Sequence, residues 1–199
     1  MTAQVEALLQ GRHVQAVAIG ASAGGIDALF RLFTDLPSSS GPPLVVVLHL
    51  PEGHRSRLVD IFAPRVALRV EEARPGVALA PGTLYFAPPN YHLLVEPQRT
   101  FSLSCEPPVR FSRPAIDPLL ESCAEAYGEG LLGMVLTGAS DDGARGLLRV
   151  RECGGLAVVQ DPGEATHRTM PDSAIVMAHP QAVLRLAGLH ALLLRCFSS

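Results

Sequence analysis

A chain of 199 residues, 48% hydrophobic and 18% charged, is large enough to bury a substantial core as one domain without disulfide or metal staples. Its formal net charge of -3, with no basic run, gives no pull toward nucleic acid or acidic lipid, and no apolar run approaches membrane-spanning length. All 16 cationic side chains are arginine, which removes a lysine nucleophile or Schiff base, and Cys105, Cys123, Cys153 and Cys196 form no C-x-x-C pair. Reduced thiols are therefore expected, and with no basic, apolar leader at the N-terminus the expected compartment is the cytoplasm.

In chain order, apolar runs suited to strands alternate with amphipathic stretches suited to helices. Residues 14–19 read as a strand and 26–36 as a helix, followed by a Ser/Gly/Pro loop over 38–43. The run Leu44-Val45-Val46-Val47-Leu48 suits a central buried strand, 55–63 a second helix and 66–70 a short third strand. From about residue 76 to 105 the pattern changes. Pro81-Gly82, Pro88-Pro89-Asn90 and Pro97-Gln98 separate short β-prone runs at 83–87, 92–95 and 101–104, which predicts an inserted hairpin or meander. Alternation then resumes with a helix at 115–127, a strand at 131–137, a helix at 142–153 and a strand at 156–160. A short helix at 171–177 starting on proline, a strand at 182–186 and an apolar-faced helix at 189–197 complete the chain. This pattern predicts an α/β fold of one domain over 1–199, a doubly wound, mostly parallel sheet with ligands at the carboxyl ends of its strands.

Three of those strand ends carry chemistry: Ser22 after the first, His49 after the second, and Asp141-Asp142 after the strand ending at Thr137. Gly20-Ala21-Ser22-Ala23-Gly24 matches the G-x-S-x-G nucleophile elbow in the strand-to-helix setting the motif requires. Serine needs a base within hydrogen-bond reach, for which His49 is the best placed, and the imidazole needs a carboxylate, from Asp142 or Asp141. The competing role for Ser22 is a helix N-cap, and for His49 a satisfied histidine at the core's edge.

Two other readings of the glycine-rich turn fit less well. A dinucleotide site needs an acidic residue about 20 positions on, where this chain has Leu48-His49-Leu50-Pro51, and its serine replaces the glycine that admits the pyrophosphate. An α/β-hydrolase orders its triad serine, acid, histidine, whereas here the best base precedes the best acid. The histidines at 13, 49, 54, 92, 167, 179 and 190 form no H-x-H or H-x-x-x-H pair, so no metal and no cofactor is expected.

Several motifs in sequence then resemble one family. Residues Ala18-Ile19-Gly20-Ala21-Ser22-Ala23-Gly24-Gly25, Leu48-His49-Leu50-Pro51 and Leu136-Thr137-Gly138-Ala139-Ser140-Asp141-Asp142-Gly143-Ala144 are similar to the catalytic domain of bacterial chemotaxis protein-glutamate methylesterases, the CheB type. Tyr85-Phe86-Ala87-Pro88-Pro89-Asn90-Tyr91-His92, Ser112-Arg113-Pro114-Ala115-Ile116-Asp117 and Thr169-Met170-Pro171 agree in order. The resemblance implies a Rossmann-like serine esterase with Ser22 as nucleophile, His49 as base and Asp142, rather than Asp141, as the orienting acid. Ala23, Gly24, Ala139 and Met170 are expected around the oxyanion and substrate. The implied reaction is hydrolysis of glutamate γ-methyl esters on the cytoplasmic helices of methyl-accepting chemotaxis receptors, releasing methanol, with deamidation of receptor glutamines by the same acyl-enzyme route.

The chain departs from the family pattern in four places. Ala23 stands where many members carry threonine, Ala139-Ser140-Asp141 replaces a Met-Gly-Asn-like run, and His167 replaces an apolar or aromatic residue. No receiver domain is expected within this chain, so phosphorylation in cis is not. Opposing readings are a catalytically idle partner-binding module and a stand-alone esterase with another protein substrate. The idle module has no need of all three triad residues.

Overall fold

The computed structural model describes residues 2–37, 41–49 and 56–198. Nine strands and seven helices follow in the order α1 (Thr2–Leu9), β1 (Ala16–Ala21), α2 (Gly25–Phe33), β2 (Leu44–Leu48), α3 (Leu58–Phe62), β3 (Arg69–Glu72), β4 (Thr83–Phe86), β5 (His92–Val95), β6 (Phe101–Ser104), α4 (Ile116–Tyr127), β7 (Leu131–Val135), α5 (Ala144–Glu152), β8 (Leu156–Gln160), α6 (Thr169–Ala178), β9 (Ala182–Leu184) and α7 (Leu186–Cys196) among the described residues. Seven strands form one parallel sheet in the order β3-β4-β2-β1-β7-β8-β9, and β5 and β6 pair antiparallel in a separate hairpin.

The central strands are apolar on both sides because both faces are covered. Along β1, Val17, Ile19 and Ala21 point into a core built with α1, α2, α3 and α7, while Ala16 and Ala18 point into a second core with α4, α5, α6 and the hairpin. Residues 2–9, unassigned from sequence, form α1, which buries Val5 in the first of these cores.

Most elements match expectation within two or three residues. The insertion is narrower than the 76–105 span expected: the hairpin is β5–β6, and residues 83–86 join the main sheet beside β2. The reason is burial on both faces. Phe86 packs against Phe62 in one core, ring centroids 5.0 Å apart, and Tyr85 against Phe101 in the other at 4.9 Å. Prolines and glycines on either side of this strand mark its ends, not a meander. Pro171 lies in the first turn of α6, where N–H groups have no intrahelical acceptor and its missing donor costs nothing. Of the loop expected over 38–43, residues 38–40 lie outside the described residues, as do residue 55 at the start of the expected second helix, Leu50 and Pro51 of the histidine motif, and His54.

Successive connections leave β1 in opposite directions, to β2 on one side and eventually β7 on the other. That reversal opens a crevice at the carboxyl ends of β1 and β7, where open α/β sheets place their ligands.

Candidate active site

Ser22 follows β1 at this crevice. Its N–H donates to Thr137 O at 2.9 Å, tying the turn to the end of β7. Ser22 is not a helix cap: the cap position of α2 is Gly24, at φ +80°, with no side-chain cap hydrogen bond. A side chain at Gly24 would also run into Thr166, whose Cβ would stand 2.6 Å from the new carbon. The competing N-cap role for this serine is therefore removed, and among the described residues its hydroxyl is engaged by no other protein group.

His49 enters through strand register. β1 and β2 pair Ala21 with Leu48, and His49 N–H continues the ladder to Ala21 O at 3.1 Å, so one further step sets His49 level with Ser22. The imidazole Nε2–H donates to Asp142 Oδ2 at 2.8 Å. This bond assigns the proton to Nε2 and leaves Nδ1 with its lone pair free to accept one from a hydroxyl. Register thus sets the Ser22 and His49 backbones side by side, and a hydrogen bond joins His49 to Asp142.

Asp142 is fully buried, yet its carboxylate is saturated with donors. Besides His49, Ile116 N–H donates to Oδ2 at 2.7 Å, and Asp117 N–H and Gly143 N–H donate to Oδ1 at 3.0 and 2.9 Å. Burial pushes its pKa up, but the bonds from His49, Ile116 and Asp117 outweigh burial and hold it below the ordinary carboxylate range. Two of these donors are the first N–H groups of α4, which have no acceptor inside the helix and favour negative charge.

α4 reaches Asp142 because the penultimate residue of β1 has no side chain. A Cβ at Gly20 would lie 2.2 Å from Ile116 Cγ2. Gly138 has a matching role on the other side: a Cβ there would meet Met170 Sδ at 1.9 Å and Ser22 Cβ at 2.9 Å.

The neighbouring aspartate behaves differently. Asp141 is partly exposed and pairs with Arg110 at 3.1 Å, away from His49. Of the residues expected around the oxyanion, Ala23 and Gly24 flank Ser22, Ala139 is exposed beside Gly138, and Met170 is buried with its N–H on Gly138 O at 3.0 Å. Among the described residues, neither Ala23 N–H nor Ala139 N–H has a protein acceptor. The His167 side chain is exposed, while its backbone is fixed by Thr137 and Gly138.

Sequence reasoning assigned no role to Thr137, Gln160 or Asp117. Thr137 Oγ1 donates to Ala23 O at 2.9 Å and accepts His167 N–H at 2.9 Å, and Thr137 N–H donates to Gln160 Oε1 at 2.8 Å. These buried polar groups lock the elbow to the loop before α6. Asp117, also buried, accepts Gly146 N–H at 2.7 Å and so pins α4 to α5. Thr137 and Asp117 lie within the motif segments, which was the only signal the sequence offered for them. Among the described residues no group of three His, Cys, Asp or Glu side chains is arranged to hold a metal ion.

The family model for the CheB methylesterase matches residues 17–193, a span that holds Ser22, His49 and Asp142. The chain belongs to the CheB methylesterase family. This CheB-type domain is 42% identical to a Leptospira interrogans relative, over 92% of this chain and 95% of that one. It is 38% identical to the protein-glutamate methylesterase FrzG of Myxococcus xanthus, over 90% of this chain and 54% of FrzG, so it spans about half of that longer relative. The crystal structure of the Thermotoga maritima CheB methylesterase catalytic domain superposes with a TM-score of 0.87 at 31% identity, covering 92% of this chain and 98% of that domain.

Proposed function

We propose that this chain is a cytoplasmic serine esterase, one catalytic domain, that hydrolyses glutamate γ-methyl esters on chemotaxis receptors and deamidates receptor glutamines. The observation that carries the reading is the hydrogen bond from His49 to buried Asp142, with His49 level with a Ser22 that caps no helix. Family membership supports the substrate class, since relatives bear the name protein-glutamate methylesterase/protein-glutamine glutaminase.

Ser22 Oγ attacks the ester carbonyl as its proton passes to His49 Nδ1. The imidazolium stays bonded through Nε2–H to Asp142, whose ionised form is favoured by its four donors. The oxyanion is received by the Ala23 and Ala139 N–H groups, each such donor contributing about 3 kcal/mol to the transition state. Collapse expels methoxide, which takes the proton from His49 and leaves as methanol. Water, deprotonated by His49, then releases the glutamate carboxylate and Ser22. With glutamine the leaving group is ammonia. No step draws on a cofactor.

The reading is tested by methanol release from methylated receptor fragments. Wild-type protein is expected to release methanol and Ser22→Ala to fall to background, with an unchanged circular-dichroism spectrum. Equal release by both would remove Ser22 from the mechanism.

A further inference from the structure

Phe111 is the most exposed large apolar side chain among the described residues, at 97%. It stands at the tip of a two-residue turn closed by Val109 N–H on Ser112 O (3.1 Å) and Ser112 N–H on Val109 O (2.9 Å). Both tip residues, Arg110 at φ +51° and Phe111 at φ +62°, adopt left-handed backbone that side chains disfavour. A disfavoured backbone that projects a phenyl ring into water is costly twice over, and among the described residues nothing is stabilised by the ring.

The turn is fastened to the site. Arg110 pairs with Asp141, the neighbour of Asp142, and Arg113 donates to the carbonyls of Cys105 and Glu106 at 3.0 and 3.1 Å. Buried His92 bridges the same segment, donating from Nε2 to Pro107 O at 3.1 Å and accepting Ala115 N–H on Nδ1 at 3.2 Å. The next N–H along the chain, that of Ile116, holds Asp142. Phe111 is therefore presented at the rim of the catalytic crevice by a braced loop.

We infer that Phe111 is a docking anchor that inserts into an apolar depression on the protein bearing the reacting glutamyl ester. The inference rests on the protein substrate proposed above. A single ester side chain offers few contacts, so binding must draw on surface remote from the reacting carbon. Aromatic side chains carry much of the energy of such surfaces, and the Arg110–Asp141 pair beside this one gives it a polar rim of no net charge.

The test is steady-state methanol release from a methylated receptor cytoplasmic fragment by wild type, Phe111→Leu and Phe111→Ala, with p-nitrophenyl acetate hydrolysis measured in parallel. Phe111→Ala is expected to raise KM for the fragment about tenfold with kcat held within about twofold, and Phe111→Leu to fall between it and wild type. An unchanged KM overturns the inference alone. Equal losses on the fragment and on p-nitrophenyl acetate also overturn it, because they place the damage in the catalytic crevice. A wild-type protein that cleaves p-nitrophenyl acetate but releases no methanol from the fragment overturns the substrate reading and, with it, this inference.

Discussion

Asp142 can hold its charge inside the protein because each oxygen accepts two hydrogen bonds, and three of the four donors are backbone groups that cannot move away. Asp142→Asn turns an NH2 group toward those donors and removes the acceptor that fixes the His49 tautomer. Its kcat for methanol release is expected to fall about 10⁴-fold. Asp141→Asn breaks only a half-exposed ion pair, of the kind that contributes about 0–1 kcal/mol, and should stay within about threefold of wild type. The reverse ranking would reassign the acid. Position in the sequence did not separate these adjacent aspartates; their surroundings do, with Asp142 on His49 and Asp141 on Arg110.

Asp117 provides a second test at the same scale. Burial pushes its carboxyl from 3.8 up to about 6, against the Gly146 N–H bond, which lowers it, and with the Asp142 charge, which raises it further. Between those values the folded protein binds a proton that the unfolded chain has released, so this group makes stability fall as pH rises from about 4 to about 6, by about 3 kcal/mol in full. Asp142 has the opposite sign: its contribution is present above the unfolded carboxylate value and is lost as pH falls through its lower folded one. Asp117→Asn keeps an acceptor for Gly146 and removes the titration. The urea midpoint at pH 7.5 minus that at pH 4.5 should be more positive in the variant than in wild type, and an identical difference in both would exclude Asp117 as a contributor.

At the scale of elements, the site depends on how near α4 comes to the end of β1. Gly20→Ala forces Ile116 and the helix start away from the sheet, loosening the two N–H bonds to Asp142. Destabilisation of about 1–3 kcal/mol is expected from urea unfolding, with kcat reduced even where the protein remains folded. Full activity in this variant would show that Asp142 does not depend on α4. The elements themselves were largely legible, because β1, β2 and β8 are continuous apolar runs and α2 and α5 are amphipathic. What α4 does was not legible, since backbone N–H donors leave no residue-type signature. β4 was read into the insertion because turn residues flank it, whereas partners distant in sequence, Phe62 and Phe101, set its place in the sheet.

At the scale of the whole molecule, strand order turns three separate motifs into one site. Ser22, His49 and Asp142 are spread over more than half of the chain, and the strand ends that carry them lie side by side because β2 and β7 flank β1. The sequence pattern supported a doubly wound sheet and a site at its strand ends, but not which strands are neighbours, since register is a property of pairing. No described helix is long and apolar enough to cross a membrane.

A Ser22 nucleophile activated by the His49–Asp142 pair is the residue that a fluorophosphonate must modify. The tryptic peptide from His13 to Arg31 contains one hydroxyl side chain, that of Ser22, so fluorophosphonate labelling followed by peptide mass analysis identifies the nucleophile. One adduct is expected, on that peptide, absent in Ser22→Ala and formed far more slowly in His49→Ala. An adduct on another peptide, or undiminished labelling of Ser22→Ala, would contradict Ser22 as the nucleophile.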